Sequence, residues 1–199
     1  MVAKFGGFVL EKEKKMRKHF FNEEKLLDFE NIETQYWLGF FYADGYIDKY
    51  SLRLFLSEKD KAHLIKFLNF VELDDCVRYD KSRNRFSSLN GCWIKLSSVK
   101  LVKELKEKGF DKNNFILNKI LLFSPHFWRG VIDGDGTLCF SFCNRKSKGK
   151  IYKVGVFQLI LYGFESVLNQ FKLFAESLIK DIKIRIYKRK DKSYNCDNF

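Results

Sequence analysis

The sequence predicts an α+β protein built from two copies of one unit, each ordered helix–strand–strand–helix–strand–strand–helix. Three observations predict it. The stretch "YWLGFFYADGYI" (residues 36–47) returns as "FWRGVIDGDGTL" (127–138). Gly39 is matched by Gly130 and Asp44-Gly45 by Asp135-Gly136, 91 residues apart in a chain of 199. After each motif the same succession of strand-like and helix-like periodicity follows. With 46% hydrophobic residues, 22 Phe among them, the chain can bury a sizeable core. Antiparallel strands with helices laid on one face make the α+β class.

Taken in order, residues 1–30 read as an N-terminal extension. "MVAKFGGFVLEKEKKMRK" has a short apolar patch and then charges of both signs, unlike a secretory signal, and Glu11 and Glu13 do not suit a transit peptide. The first unit, 31–110, opens with the motif helix. "YIDKY" and "SLRLFLS" then read as a hairpin. "EKDKAHLIKFLNFV" has helical spacing, with Leu64, Ile65, Leu68 and Val71 on one side. "CVRYD" and "CWIKLSS" are two more strands, and "VKLVKELKEKG" is a helix that closes at Gly109. "KEKGFDKNNF" (106–115) joins the halves.

The second unit, 111–199, starts its motif helix cleanly, with Ser124 as N-cap and the chain's one proline, Pro125, in the first turn. Strands follow near 137–143 and 151–161, then a helix over 163–180, then a strand in "IKIRIYKRK" (182–190). "DKSYNCDNF" begins a last strand and leaves no residues for a closing helix, so this copy reads as truncated.

The motif carries two local penalties, a glycine inside an apolar helix and an acid at the end of its buried face. Glycine costs a helix roughly 1 kcal/mol relative to alanine. Gly39 and Ala43 are four apart, as are Gly130 and Gly134, so each pair shares one helix face. A face of small residues lets two helix backbones approach closely. The two motif helices are therefore expected to pack on each other, with Trp37, Phe40, Trp128 and Val131 flanking. Asp44 and Asp135 then finish level. Two carboxylates ~5 Å apart repel by ~3 kcal/mol at an effective dielectric of 20, so a shared proton or a divalent cation must compensate. An oxygen-only site with room for waters suits Mg²⁺, and paired metals beside a phosphodiester promote its hydrolysis. Other readings of these residues fail on spacing. In an EF-hand loop starting at Asp133 the glycine would stand sixth, whereas Gly136 stands fourth. An aspartic-protease loop runs Asp-Thr-Gly, not Asp-Gly-Thr. A pair of plain helix-to-strand turns remains as the bland reading.

Charge narrows the partners. A formal charge of +12, from 37 Lys+Arg against 25 Asp+Glu, favours a polyanion such as nucleic acid. No apolar run reaches the ~18 residues of a membrane span, so no membrane partner is expected. Five scattered cysteines suit free thiols in an intracellular reducing compartment, such as a bacterial or phage-infected cytoplasm or an organelle.

"WLGFFYADG" and "WRGVIDGDG" resemble the two motifs of the single-chain LAGLIDADG homing endonucleases, and the repeated element order extends the resemblance over roughly 30–199. The resemblance implies a monomer of two pseudo-symmetric αββαββα units whose antiparallel sheets form a saddle on double-stranded DNA. It implies Mg²⁺-dependent double-strand cleavage at a long target site. Carried over by position, Asp44 and Asp135 hold metal, with Ala43 and Gly134 lending backbone carbonyls. Lys100 is the matching lysine near the reaction, with Lys95 next. Glu58 and Gln158 match water-orienting positions. Tyr42 departs from the pattern, where many members carry an additional acid that Asp133 keeps in the second motif. The shortened second unit removes any partner to Lys100, so cleavage of the two strands could be unequal.

Candidate DNA contacts follow from alternation and charge. In 182–190, Ile182, Ile184 and Ile186 alternate with Lys183, Arg185 and Tyr187, with Arg189 beyond. Arg53 faces away from Leu52, Leu54 and Leu56. Arg78 precedes a basic loop with Lys81, Arg83 and Arg85. Arg145, Lys146, Lys148 and Lys150 crowd a second hairpin tip. A two-stranded ribbon fits the major groove, where Arg and Lys meet guanine edges. Two other functions remain open on the same scaffold: an RNA-binding maturase acting on intron RNA, and a DNA-binding protein that does not cut.

Overall fold

The computed structural model describes residues 20–80, 90–110 and 116–187. They form an α+β arrangement with antiparallel sheets. Asn31 caps the first helix, α1 (Ile32–Asp44), its side chain accepting from the Glu33 and Thr34 amides at 2.8 and 3.2 Å. Strands β1 (Gly45–Ile47) and β2 (Ser51–Ser57) follow as a hairpin. Asp48 shapes its turn by accepting from the Tyr50 and Ser51 amides and the Ser51 hydroxyl, which holds its carboxyl below the usual range. A 3-10 turn (Glu58–Asp60) leads into α2 (Lys61–Phe70). Then come β3 (Arg78–Asp80), β4 (Gly91–Ser97) and α3 (Val99–Glu107), capped by Ser98. Gly109, at φ +105°, lets the chain turn away from α3.

The first sheet has the order β1-β2-β4-β3. Its period-two alternation separates two faces. Leu52, Leu54, Leu56, Cys92, Ile94 and Leu96 are buried on one, against α2 and α3. Leu64, Phe67 and Leu68 supply the buried stripe of α2, and Leu101, Val102 and Leu105 that of α3. Leu26 and Phe29, before α1, are buried in the same core, and Phe29 meets the Phe110 ring edge-on at 6.5 Å.

A short helix, α4 (Lys119–Leu122), precedes α5 (Pro125–Asp135). Ser124 caps α5 as the sequence requires, accepting from the Phe127 amide at 3.0 Å. Strands β5 (Gly136–Ser147) and β6 (Lys150–Leu161) make a long hairpin, and α6 (Glu165–Leu178) follows. The hairpin turns at Lys148 and Gly149, both with positive φ, as a tight two-residue turn demands. Helix α6 sits on α5 through Phe171 and Phe174, whose rings lie 5.2 and 5.9 Å from that of Trp128.

One expected strand does not form. Residues 182–187 carry no regular structure, so Lys183, Arg185 and Tyr187 do not project from a sheet face. Alternation is only half of a strand; the other half is a ladder partner, and among the described residues β6 pairs with β5 alone in a two-stranded sheet. The segment lies instead along a cleft with the end of β6 and α6. Arg189, and the basic loop residues Lys81, Arg83 and Arg85, lie outside the described residues. Among those residues, no helix is long and apolar enough to cross a membrane.

Candidate active site

The site begins with the contact of α1 and α5, which run parallel, side by side. A Cβ placed on Gly39 would strike the Phe127 carbonyl, and one on Gly130 would strike the Tyr36 carbonyl and lie 2.7 Å from the Phe40 nitrogen. Near the C-terminal ends, a Cβ on Gly134 would collide with that of Ala43 and lie 3.1 Å from Asp44 Oδ2. The glycine penalty thus has a structural return, because backbone touches backbone along this seam. Polar ties fix its register. The Ser124 hydroxyl donates to Gln35 Oε1 at 2.6 Å at the start, and the Tyr36 hydroxyl donates to Asp133 Oδ2 at 3.0 Å further on.

Both helices end alike. Gly45 and Gly136 leave in extended conformations, φ −89° and −90°, and their amides return to the carbonyls of Phe41 and Ile132. Asp44 and Asp135 therefore stand at matching ends of two touching helices. Burial raises the Asp44 carboxyl above its usual range, and the charges of Asp135 and Asp60 add to the effect. Burial also raises Asp135. Tyr42 is pushed up to about 12 by burial and by the charge of Asp135. Neither aspartate accepts a hydrogen bond or pairs with a cation among the described residues.

Two half-buried, uncompensated carboxylates at one place are the donor set a hard divalent cation takes. Ala43 and Gly134 occupy the last helical turns, where carbonyls lack intrahelical partners. Among the described residues no cluster of three or more His, Cys, Asp or Glu could hold a metal ion, so a cation here needs carbonyl, water or phosphate oxygens besides the two aspartates.

The remaining candidates are distributed. Lys100 lies in the first turn of α3 with its ammonium bonded to Glu24, which raises its pKa. Lys95 stands instead on the exposed face of the first sheet, directly across from Arg53. Glu58 opens the 3-10 turn after β2, its amide donating to the Asn90 carbonyl at 3.0 Å. Gln158 is exposed on β6, opposite Cys139. Arg53 is exposed and reaches Asp48 at 3.4 Å, while the Arg78 guanidinium lies 5.0 Å from the Trp93 ring centroid. Lys146 and Lys148 flank the tip of the second hairpin.

Sequence reasoning missed four participants. Asp60 is the acid after β2 whose charge reaches Asp44. Tyr36 ties α1 to Asp133 and also lies 3.1 Å from His63 Nε2 on α2, and burial lowers that histidine's pKa. The Arg129 guanidinium sits 4.5 Å from the Tyr36 ring centroid. Asp60 carried a weak signal, an acid in the first turn of an expected helix; Tyr36 and His63 carried none, because 27 residues separate them. No family model matches the chain, and no curated protein matches it.

Proposed function

We propose that this chain is a Mg²⁺-dependent endonuclease of the LAGLIDADG homing type, cutting both strands of double-stranded DNA at a long target site as a monomer. The observation that carries the reading is the glycine seam, which brings two half-buried, unpaired carboxylates to the same level. A protein that only bound DNA would have no use for that electrostatic cost. Asp44 and Asp135 would hold Mg²⁺, with the Ala43 and Gly134 carbonyls beside them. When bound there, the cation supplies positive charge against the charge that develops on the phosphodiester.

The chain's own residues do the rest. The charge of Asp60 reaches Asp44 and adds to the repulsion that a bound cation would relieve. The exposed row Tyr46, Arg53 and Lys95 begins two residues after Asp44, so it offers cations to the phosphates nearest the reacting one. In this reading the two units are related by an approximate twofold along the seam and their sheets form the saddle. The short second sheet favours unequal grip on the two DNA halves.

The same sheet shortage is the one feature that favours a role without cutting, as a DNA-binding protein or an RNA-binding maturase for intron RNA. One experiment separates these. A randomised duplex library is incubated with the protein and Mg²⁺, and cut ends are sequenced. A recurrent cut site is expected, lost in Asp44→Asn and Asp135→Asn while binding to the duplex persists. Full cutting by either variant would overturn the site, and tighter binding to folded intron RNA than to any duplex would move the reading to the maturase.

A further inference from the structure

The open face of the first sheet is not uniformly basic. Register places two rows across it: Tyr46, Arg53 and Lys95, then Phe55, Trp93 and Arg78. Phe55 starts the second row, on β2 just beyond its pairing with β1, and is 53% exposed. Its opposite faces are ordinary core, with Leu54 and Leu56 on either side in sequence both buried. A large ring left in water on the side that carries the cations forgoes burial it could have had.

Glycine 91 explains how the ring is held. A Cβ at that position would fall 2.0 Å from Cζ at the tip of the Phe55 ring, so the ring end takes the space that a side chain there would fill. The ring is thereby an apolar plate beside the start of β4. On one side of the plate are Arg53 and Lys95, and on the other the Arg78 guanidinium over Trp93. Cations on both sides match a polyanion whose phosphates flank an apolar spot.

Duplex DNA offers one such spot. In the major groove the largest apolar group on any base edge is the C5-methyl of thymine, where cytosine presents only a C5–H. An apolar plate framed by cations finds its largest complementary surface in that methyl group. We infer that Phe55 is a specificity-determining residue that packs on thymine C5-methyl groups, so that the half-site under the first sheet has thymine at one or two positions. This rests on the duplex-DNA reading above and adds the base class.

The test uses duplexes selected by the protein from a randomised library without Mg²⁺, remade with deoxyuridine in place of single thymidines. Losing one methyl from an apolar contact should weaken binding about fourfold. The expected result is one or two positions at which uracil weakens binding by about that factor. Phe55→Ala should bind the thymine and uracil duplexes equally, and Phe55→Leu, which keeps an apolar contact, should retain part of the preference. Melting curves check that both variants fold. Selected duplexes that bind equally well with uracil at every position would overturn the inference and leave the endonuclease reading standing. Failure to enrich any duplex would overturn both. A Phe55→Ala variant that loses single-stranded DNA more than duplex would show the ring stacking on an unpaired base, and would overturn the methyl contact.

Discussion

Strands β2 and β6 are both rich in apolar residues, yet they end in opposite circumstances. In β2 every second residue is sealed, with Leu52 and Leu54 fully buried beneath α2 and α3. In the β5–β6 hairpin Leu138, Phe140, Phe142, Phe157 and Leu159 share one face by register, and all are exposed, Phe157 at 74%. Alternation decides which face of a strand is apolar, but only another element can cover it. Helix α6 meets α5 through Phe171 and Phe174 and shares a cleft with the end of β6, and these five side chains stay exposed. Among the described residues the two halves are therefore held together chiefly at the α1–α5 seam.

The sharpest way to break this comparison is to force the seam apart. Gly130→Leu or Gly39→Leu drives a side chain into a backbone carbonyl that cannot rotate away, and should cost more than the ~3 kcal/mol usual for overpacking. A chain melting at its original temperature would mean that the helices do not touch there. Next in size is the contrast between the sheets. Leu54→Ala should cost about 2–5 kcal/mol in denaturant unfolding, whereas Leu138→Ala should stay within about 0.5 kcal/mol. Equal losses would mean that the hairpin face is covered in solution. Smaller again, Tyr36→Phe removes the hydroxyl that binds Asp133 across the seam, at about 1 kcal/mol.

The smallest effect is in pH. Asp44 and Asp135 are raised in the folded chain, so their protonated forms favour folding. That contribution is complete below the ordinary carboxylate value of about 4 and is lost as pH rises through their higher folded values. Asp48 and Glu72 are lowered and act in the opposite sense, so the parent is compared with a variant. In metal-free buffer Asp44→Asn should melt above the parent at pH 7 and gain less at pH 4. A gain independent of pH would mean that the carboxylate is solvated.

Much of this was legible in the sequence, for identifiable reasons. Gly39, Gly130 and the paired Asp-Gly ends repeat at one spacing, and repetition turns a weak local pattern into a strong one. The Ser124-Pro125 start and the Leu52, Leu54, Leu56 alternation depend on neighbours in sequence, so they too were readable. Residues 182–187 were misread because a strand needs a partner that alternation does not report. Lys100 was matched by position, yet its ammonium is held by Glu24 from 76 residues away. The Tyr36–His63–Asp133 ties join three helices and are written nowhere locally.

We propose that the glycine seam brings Asp44 and Asp135 to one cation. The most direct test is a crystal structure grown with Mn²⁺ in place of Mg²⁺, with the ion located by anomalous scattering. The account predicts an ion bound by carboxylate oxygens of both residues, at about the 2.0–2.1 Å that Mg²⁺ takes. Ions found only elsewhere, or an ion held by one aspartate while the other turns to solvent, would contradict it.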